Sequence, residues 1–315
     1  MTDIFPPPPA LLCFGEPLME FAEASGQEGS VMRLGYGGDV SNVAIAAARQ
    51  GLSAGMIGAV GDDAFGGKLQ ALWDREGVDR RHVLRPGGSR TGLYFITYEA
   101  AGHVFSYARD GSAASRYTPA DLPTADIAAA RLFHASAISQ GIGLGPCDAT
   151  FEAIHLAREK GVSISYDTNL RLKLWPLDRA RAIIHATAAL ADILRPGLDD
   201  ARLLTGRQTP DAIADFYLGL GPRIVVLTLG SEGCLVATPA RREVIPCLPV
   251  AFVDASGAGD TFTGAFLAEY ARTGDEFASA RYANVAAALK TRGIGAIEPI
   301  PRRAEVEAVL SGEPA

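Results

Sequence analysis

The chain lacks a cysteine pair at metal-ligand spacing. Its four cysteines, Cys13, Cys147, Cys234 and Cys247, lie far apart in a sequence of 315 residues. Neither a C-x-x-C zinc site nor a disulfide framework is suggested, and reduced, mostly buried thiols are expected. Basic charge is also scarce. Lys and Arg number 29 against 36 Asp and Glu, for a net charge of −7 and a pI of about 5.3. Nucleic acid and anionic membranes are bound by clustered Lys and Arg, so neither is expected as a partner. No apolar run reaches the length of a membrane span. The N-terminus, MTDIFPPPPALLCFGEP, has no basic region ahead of an apolar run, so a cytoplasmic protein without a signal peptide is expected. Its run of four prolines reads as an exposed, extended arm. The five histidines show no metal-like spacing, and His103, beside a turn, is expected to be exposed.

What the chain does have is 48% hydrophobic residues in a length that suits one large α/β domain. Strand-like runs (Leu11–Gly15, Ala54–Val60, Leu132–Ser139, Ser163–Asp167, Asp192–Arg195, Arg223–Thr228) alternate with Ala-rich amphipathic runs (Val40–Gln50, Lys68–Glu76, Cys147–Lys160, Arg179–Ala191). That alternation predicts a doubly wound, mostly parallel sheet flanked by helices. Two segments break the rhythm, about 17–37 and 90–110. The second, TGLYFITYEAAGHVFSYAR, reads as two strands around a turn at Ala101-Gly102. Together they predict a small antiparallel β lid on a single domain spanning 1–315. Ligands in open α/β sheets bind at the carboxyl ends of strands, which directs attention to Asp167–Arg171, Thr228–Gly233 and the segment after Phe252.

That last segment is VDASGAGDTF. Gly257, Ala258 and Gly259 permit a tight turn, and Phe262, Phe266 and Tyr270 then recur at helical spacing. A glycine turn at a helix N-terminus offers free N–H groups to an anion. The lysine of a Walker A loop is absent, and Asp260 stands there instead. Such an acid can accept the proton of an attacking hydroxyl, or it can merely cap the helix. The loop alone leaves both readings open.

DASGAGDTFTGAF resembles the second signature, D-T-x-G-A-G-D, of the ribokinase-like (PfkB-type) carbohydrate kinases, matched by Asp254, Gly257, Ala258, Gly259 and Asp260. GYGGDVSNVAIAAARQG resembles their first signature, with Gly37, Gly38 and Asn42, and GAVGDDAFGGKL their next element. The resemblance runs from about Gly15 to Ala296. It implies ATP-dependent phosphorylation of a sugar hydroxyl with Asp260 as base and the N–H groups of Ala258, Gly259 and Asp260 as an anion hole. Gly38 and Asn42 would then touch the sugar. Thr228, Gly230 and Gly233 in TLGSEGCLV would lie beside the nucleotide, or form a plain hairpin turn. Asn284 would approach the adenine, or be a surface helix residue. The family's N-x-x-E, which acts on Mg²⁺ through water, is altered here: Gly197 replaces the asparagine and Asp200 stands where the glutamate is expected.

The substrate is read from arginines. SYDTNLRLKLW and FSYARDGSAAS resemble segments of 2-keto-3-deoxygluconate kinases. By that resemblance Tyr94, Tyr107, Arg109 and Arg171 contact a sugar acid, whose carboxylate a planar guanidinium matches. The product would be 2-keto-3-deoxy-6-phosphogluconate. Other readings stay open: an Arg109–Asp110 surface pair, an Arg171 that contacts ATP phosphates, or a fructokinase. A non-catalytic sugar or nucleotide sensor on the same fold is a further alternative. Glu20 is either a sugar ligand or a solvated flap residue, and homo-oligomerisation through the lid is expected.

Overall fold

A computed structural model describes residues 7–24, 31–99 and 102–312. The strands are β1 (Leu11–Phe14), β2 (Leu18–Glu23), β3 (Met32–Gly37), β4 (Ala54–Ala59), β5 (Asp79–Leu84), β6 (Gly92–Glu99) and β7 (Gly102–Ala108). They continue with β8 (Leu132–Ser136), β9 (Ser163–Asp167), β10 (Ile193–Arg195), β11 (Ile224–Thr228), β12 (Cys234–Ala237) and β13 (Arg242–Ile245). Among the described residues they form a nine-stranded sheet, ordered β13-β12-β11-β10-β9-β8-β1-β4-β5, and a separate four-stranded sheet, β3-β2-β6-β7. In the large sheet the strands run parallel except β12, which lies antiparallel between β11 and β13.

Alternation along the strands sends side chains to opposite faces. In β1, Leu11 and Cys13 enter the core beneath helices Asp39–Arg49, Ala258–Thr273 and Glu276–Lys290. Leu12 and Phe14 enter the opposite core, under helices Leu144–Glu159, Leu177–Ala188 and Pro210–Leu220. Both faces are therefore covered, as a continuous apolar strand requires. Cys13, Cys147 and Cys234 are buried free thiols.

Several boundaries differ from the sequence reading. The strand expected to reach Ser139 stops at Ser136, whose hydroxyl accepts from Ile138 N at 3.2 Å and starts a short helix, Ala137–Gly141. The helix expected from Lys68 begins at Ala64, because Asp63 caps Gly66 N at 2.8 Å. The helix expected from Cys147 begins at Leu144, with Pro146 in the first turn, where its missing N–H costs nothing. The proline arm is not wholly exposed: Pro9 is buried, with its ring against Gly55. The small sheet is not purely antiparallel either. β2 and β6, its central pair, run parallel, while β2/β3 and β6/β7 are antiparallel. Its turn at Ala101 and the side chain of His103 lie outside the described residues.

The register of the small sheet decides what it presents. Glu20 pairs with Tyr94 across β2/β6, and Tyr94 with Tyr107 across β6/β7. One face therefore carries Leu18, Glu20, Tyr94, Ile96, Phe105 and Tyr107, all of which line a cavity against the large sheet. On the other face Phe21 stacks on Phe95 and meets Phe65 edge-on.

Candidate active site

The cavity has a volume of about 750 Å³ and lies between the small sheet and the carboxyl ends of the parallel strands. Its floor is set by two helices in unusually close contact. A Cβ on Gly264 would stand 2.5 Å from the Val43 carbonyl oxygen and 2.6 Å from Ala46 Cβ. Only glycine allows helices Ala258–Thr273 and Asp39–Arg49 to meet so closely, and this brings Asn42 Nδ2 to 2.7 Å from Asp260 Oδ2. The other amide atom, Asn42 Oδ1, is buried without a partner, and a sugar hydroxyl could donate to it.

Gly257 turns the chain into the Ala258–Thr273 helix with φ 71°, a left-handed conformation that glycine tolerates. The first N–H groups of a helix have no acceptor within it. Here the Ala258 N–H already donates to the Ala255 carbonyl at 3.0 Å. Of the three N–H groups expected to form an anion hole, that of Ala258 is therefore already engaged. Arg195, at the end of β10, stands over this helix start. A Cβ on Gly259 would lie 2.8 Å from its guanidinium. Its Nη2 donates to Asp167 Oδ2 at 2.5 Å and its Nε to Thr263 Oγ1 at 3.1 Å. A fixed cation therefore occupies the place for which no lysine was found in the loop. Sequence reasoning counted Arg195 only as a strand residue, although its position at a strand's carboxyl end was the available signal.

Burial pushes the Asp260 carboxyl up to about 7, and the nearby Asp39 carboxylate adds to this, while the Asn42 hydrogen bond and Arg195 oppose it. An acid poised there can take up a proton near neutral pH. Burial likewise raises Asp167 to about 6, against the pull of Arg195. Asp39 was missed by the sequence reading and lines the cavity beside Gly38. Its Oδ2 accepts from Asn169 Nδ2 at 3.1 Å.

At the other end of the cavity, Tyr94 donates its hydroxyl to Glu20 Oε2. Glu20 is 4% exposed, so it is not a solvated flap residue, and burial raises its carboxyl. Arg109 does not pair with Asp110. Its Nη2 donates to Glu16 Oε2, Ser112 Oγ donates to Glu16 Oε1 at 2.9 Å, and the guanidinium lies 5.3 Å from the Tyr107 ring centre. Arg109 is 8% exposed and its Nε has no partner. Arg171 lines the same cavity from the loop after β9, with Nη1 donating to the Leu170 carbonyl at 2.8 Å. In that loop Lys173 Nζ reaches across to the Phe105 carbonyl at 2.6 Å and ties the large sheet to the small one. Asp200 also lines the cavity; its Oδ2 accepts from Leu170 N at 3.0 Å, and burial raises its carboxyl.

The cavity thus brings together Gly38, Asn42, Tyr94, Tyr107, Arg109, Arg171, Asp200, Gly257, Gly259 and Asp260. Thr228, Gly230, Gly233 and Asn284 stand outside its walls. Thr228 ends β11 and bridges Gly197, so it continues the same carboxyl edge one strand beyond Arg195. Gly230 opens a short 3-10 turn and Gly233 follows its end. Asn284 is not a surface residue. It is buried, and its Nδ2 donates to the Ile245 carbonyl at 3.1 Å, which anchors the helix to the end of β13.

The chain is similar to known carbohydrate kinases. The family model for pfkB family carbohydrate kinases matches residues 9–303. The chain is 34% identical to fructokinase-1 of Zea mays over 312 residues, covering 94% of this chain and 96% of the relative. It is 32% identical to 2-dehydro-3-deoxygluconokinase of Bacillus subtilis (strain 168) over 308 residues, covering 95% of each. The crystal structure of fructokinase from Vibrio cholerae O395 in its fructose-, ADP- and calcium-bound form superimposes with a TM-score of 0.86 at 26% identity. That match covers 95% of this chain and 97% of the other. The chain belongs to the pfkB family of carbohydrate kinases.

Proposed function

We propose that this kinase transfers the γ-phosphoryl group of ATP to the terminal hydroxyl of a sugar acid, 2-keto-3-deoxygluconate. The observation that carries the substrate assignment is Arg109, which lines the cavity beside Tyr107 and whose buried Nε lacks an acceptor. Buried donors are nearly always satisfied, and a planar carboxylate is the acceptor that a guanidinium edge fits. Arg171 and Lys173 bring further positive charge to the same cavity from the opposite wall.

In the proposed reaction the sugar hydroxyl oxygen forms a bond to the γ-phosphorus while the bond from phosphorus to the ADP oxygen breaks. The hydroxyl proton passes to Asp260. The N–H groups of Gly259 and Asp260, with Arg195, balance charge on the moving phosphoryl oxygens. Asn42 holds Asp260 in place, and Gly38 and Tyr94 shape the sugar pocket. The nucleotide would lie along the edge that Arg195 begins and Thr228, Gly230 and Gly233 continue. Asn284 would hold the wall behind it.

A divalent ion, Mg²⁺ in this proposal, fits the residues present. No cluster of three or more ligating side chains occurs among the described residues, and Mg²⁺ carried by nucleotide phosphates keeps its waters and needs few carboxylates. Asp200 would hold it through water, and the ion would neutralise charge on the phosphates. Self-association through the small sheet belongs to the same proposal. The β3 edge exposes Met32 and Leu34, and light scattering on a sizing column would show a monomer if this part is wrong.

Fructose is the second reading, supported by the similarity to a plant fructokinase and by the acids Glu16, Glu20 and Asp39 along the cavity. ADP release measured with 2-keto-3-deoxygluconate, fructose, ribose and adenosine separates the two. Turnover of fructose with none of the acid would overturn the assignment.

A further inference from the structure

Lys290 is wholly buried, with 0% exposure, although its charge would normally keep it in water. It closes the Glu276–Lys290 helix, whose C-terminus favours a cation. Its Nζ donates to the Asp254 backbone carbonyl at 2.9 Å. Burial pulls the ammonium down from the ordinary lysine value, and the carboxylates of Asp254 and Asp260, from the glycine turn, and of Glu20, from β2, oppose that pull.

The segment that Lys290 holds leads directly into the Gly257 turn. Asp254 Oδ1 accepts from Ser256 N at 2.9 Å and from Ser256 Oγ at 2.8 Å, and Asp254 Oδ2 from Gly295 N at 2.8 Å. Val253 N and Asp254 N both donate to the Thr291 carbonyl, at 2.8 and 3.0 Å. A Cβ on Gly257 would meet the Ala296 carbonyl at 2.9 Å. Residues 253–257 are therefore pinned to residues 290–296 at several points, and the ammonium is the single charged donor among those bonds. A neutral donor there would have sufficed for the hydrogen bond. Burying a charge is costly, and the surrounding carboxylates offset part of that cost.

We propose that the Lys290 ammonium is a built-in cation of the phosphoryl-transfer site, fixing the Asp254–Gly257 turn and balancing the carboxylates of Asp254, Asp260 and Glu20. It is a positioning residue, since it reaches the reacting atoms only through that turn and through Asp260. The proposal rests on Asp260 and the helix start being the transfer site. It concerns the rate of transfer and is independent of which sugar is used.

The test measures ADP release in Lys290→Met, which keeps volume and loses charge, and in Lys290→Ala, which leaves space for an added amine. The sugar is whichever one the wild type turns over. The expected result is a fall of at least tenfold in kcat for both variants, with KM for sugar and ATP within about threefold of wild type. Methylammonium or propylammonium should then restore kcat in Lys290→Ala and leave wild type and Lys290→Met unchanged. A Lys290→Met kcat within twofold of wild type would overturn the proposal, as would a loss in folded Lys290→Ala that no amine reverses. Should both fail to fold by circular dichroism, Lys290→Gln keeps a donor for the Asp254 carbonyl. A wild-type kcat in that variant would overturn the proposal equally, and a tenfold fall would support it. Failure of the underlying site reading shows separately, as normal turnover in Asp260→Asn.

Discussion

Replacing Asp260 by asparagine keeps the shape of the side chain and removes its ability to take a proton. Loss of a general base costs about 10²–10⁴ in rate, and kcat should fall by that amount while ATP binding is retained. The wild-type pH profile is set by the same group. Its carboxyl is pushed up to about 7, chiefly by burial. With such a pKa about one-tenth of the groups are ionised at pH 6, so kcat/KM should fall about tenfold from its plateau above pH 8. Stability should move the other way. The folded pKa lies above the ordinary aspartate value of 3.8, so the folded state binds this proton more tightly than the unfolded chain does. The resulting destabilisation is absent below about pH 4, grows up to about pH 7 and is constant above it. Three pH units at about 1.4 kcal/mol each put its upper limit on the order of 4 kcal/mol. Asp260→Asn should therefore melt at a higher temperature than wild type at pH 8, by a margin that shrinks as the pH falls toward 4. ADP release between pH 5.5 and 9, together with thermal melts at pH 5 and 8, measures both effects. Turnover within threefold of wild type, or a wild-type profile that is flat between pH 6 and 8, would refute the reasoning.

Arg171→Ala should raise KM for the sugar acid about ten- to hundredfold, the weight of a charge-assisted hydrogen bond, and leave KM for fructose and ATP unchanged. An equal effect on ATP would assign Arg171 to the phosphates. Arg195→Met should lower kcat by at least tenfold and also destabilise the fold, because Asp167 is left as an unpaired buried charge. Adding Asp167→Asn should recover the melting temperature without the rate, and recovery of both would deny Arg195 a part in transfer. Gly264→Ala sets two effects against each other. Helix propensity gains about 1 kcal/mol, while overpacking against Val43 and Ala46 costs about 1–3 kcal/mol. A net loss is expected because the Val43 contact is backbone and cannot swing aside, and a raised melting temperature would show that the helices separate freely.

Much of this protein was legible in the sequence, because the signals concerned are local. Apolar runs of strand length between amphipathic stretches determine a covered parallel sheet whatever the rest of the chain does, and glycine at 257 determines a turn before a helix. The family signatures placed Asp260 and Asn42 in one site from segments more than 200 residues apart. Local signals did not report which groups are free. Whether Arg109 faces solvent or Glu16, and whether Asn284 is exposed, depends on neighbours brought in by the fold. The parallel pairing of β2 with β6 escaped the reading for the same reason, since register across strands so distant in sequence leaves no local trace. Tertiary structure alone decided the charge balance around Asp260. Asp39, Asp167, Arg195 and Lys290 come from four separate elements, and Coulomb energy depends on distance and burial, which spacing along the chain does not encode. The sequence by itself determined that a glycine turn would deliver an acid to a helix start. The cation proposed to make such a turn usable by phosphate, Arg195, comes from a strand end 62 residues before Gly257.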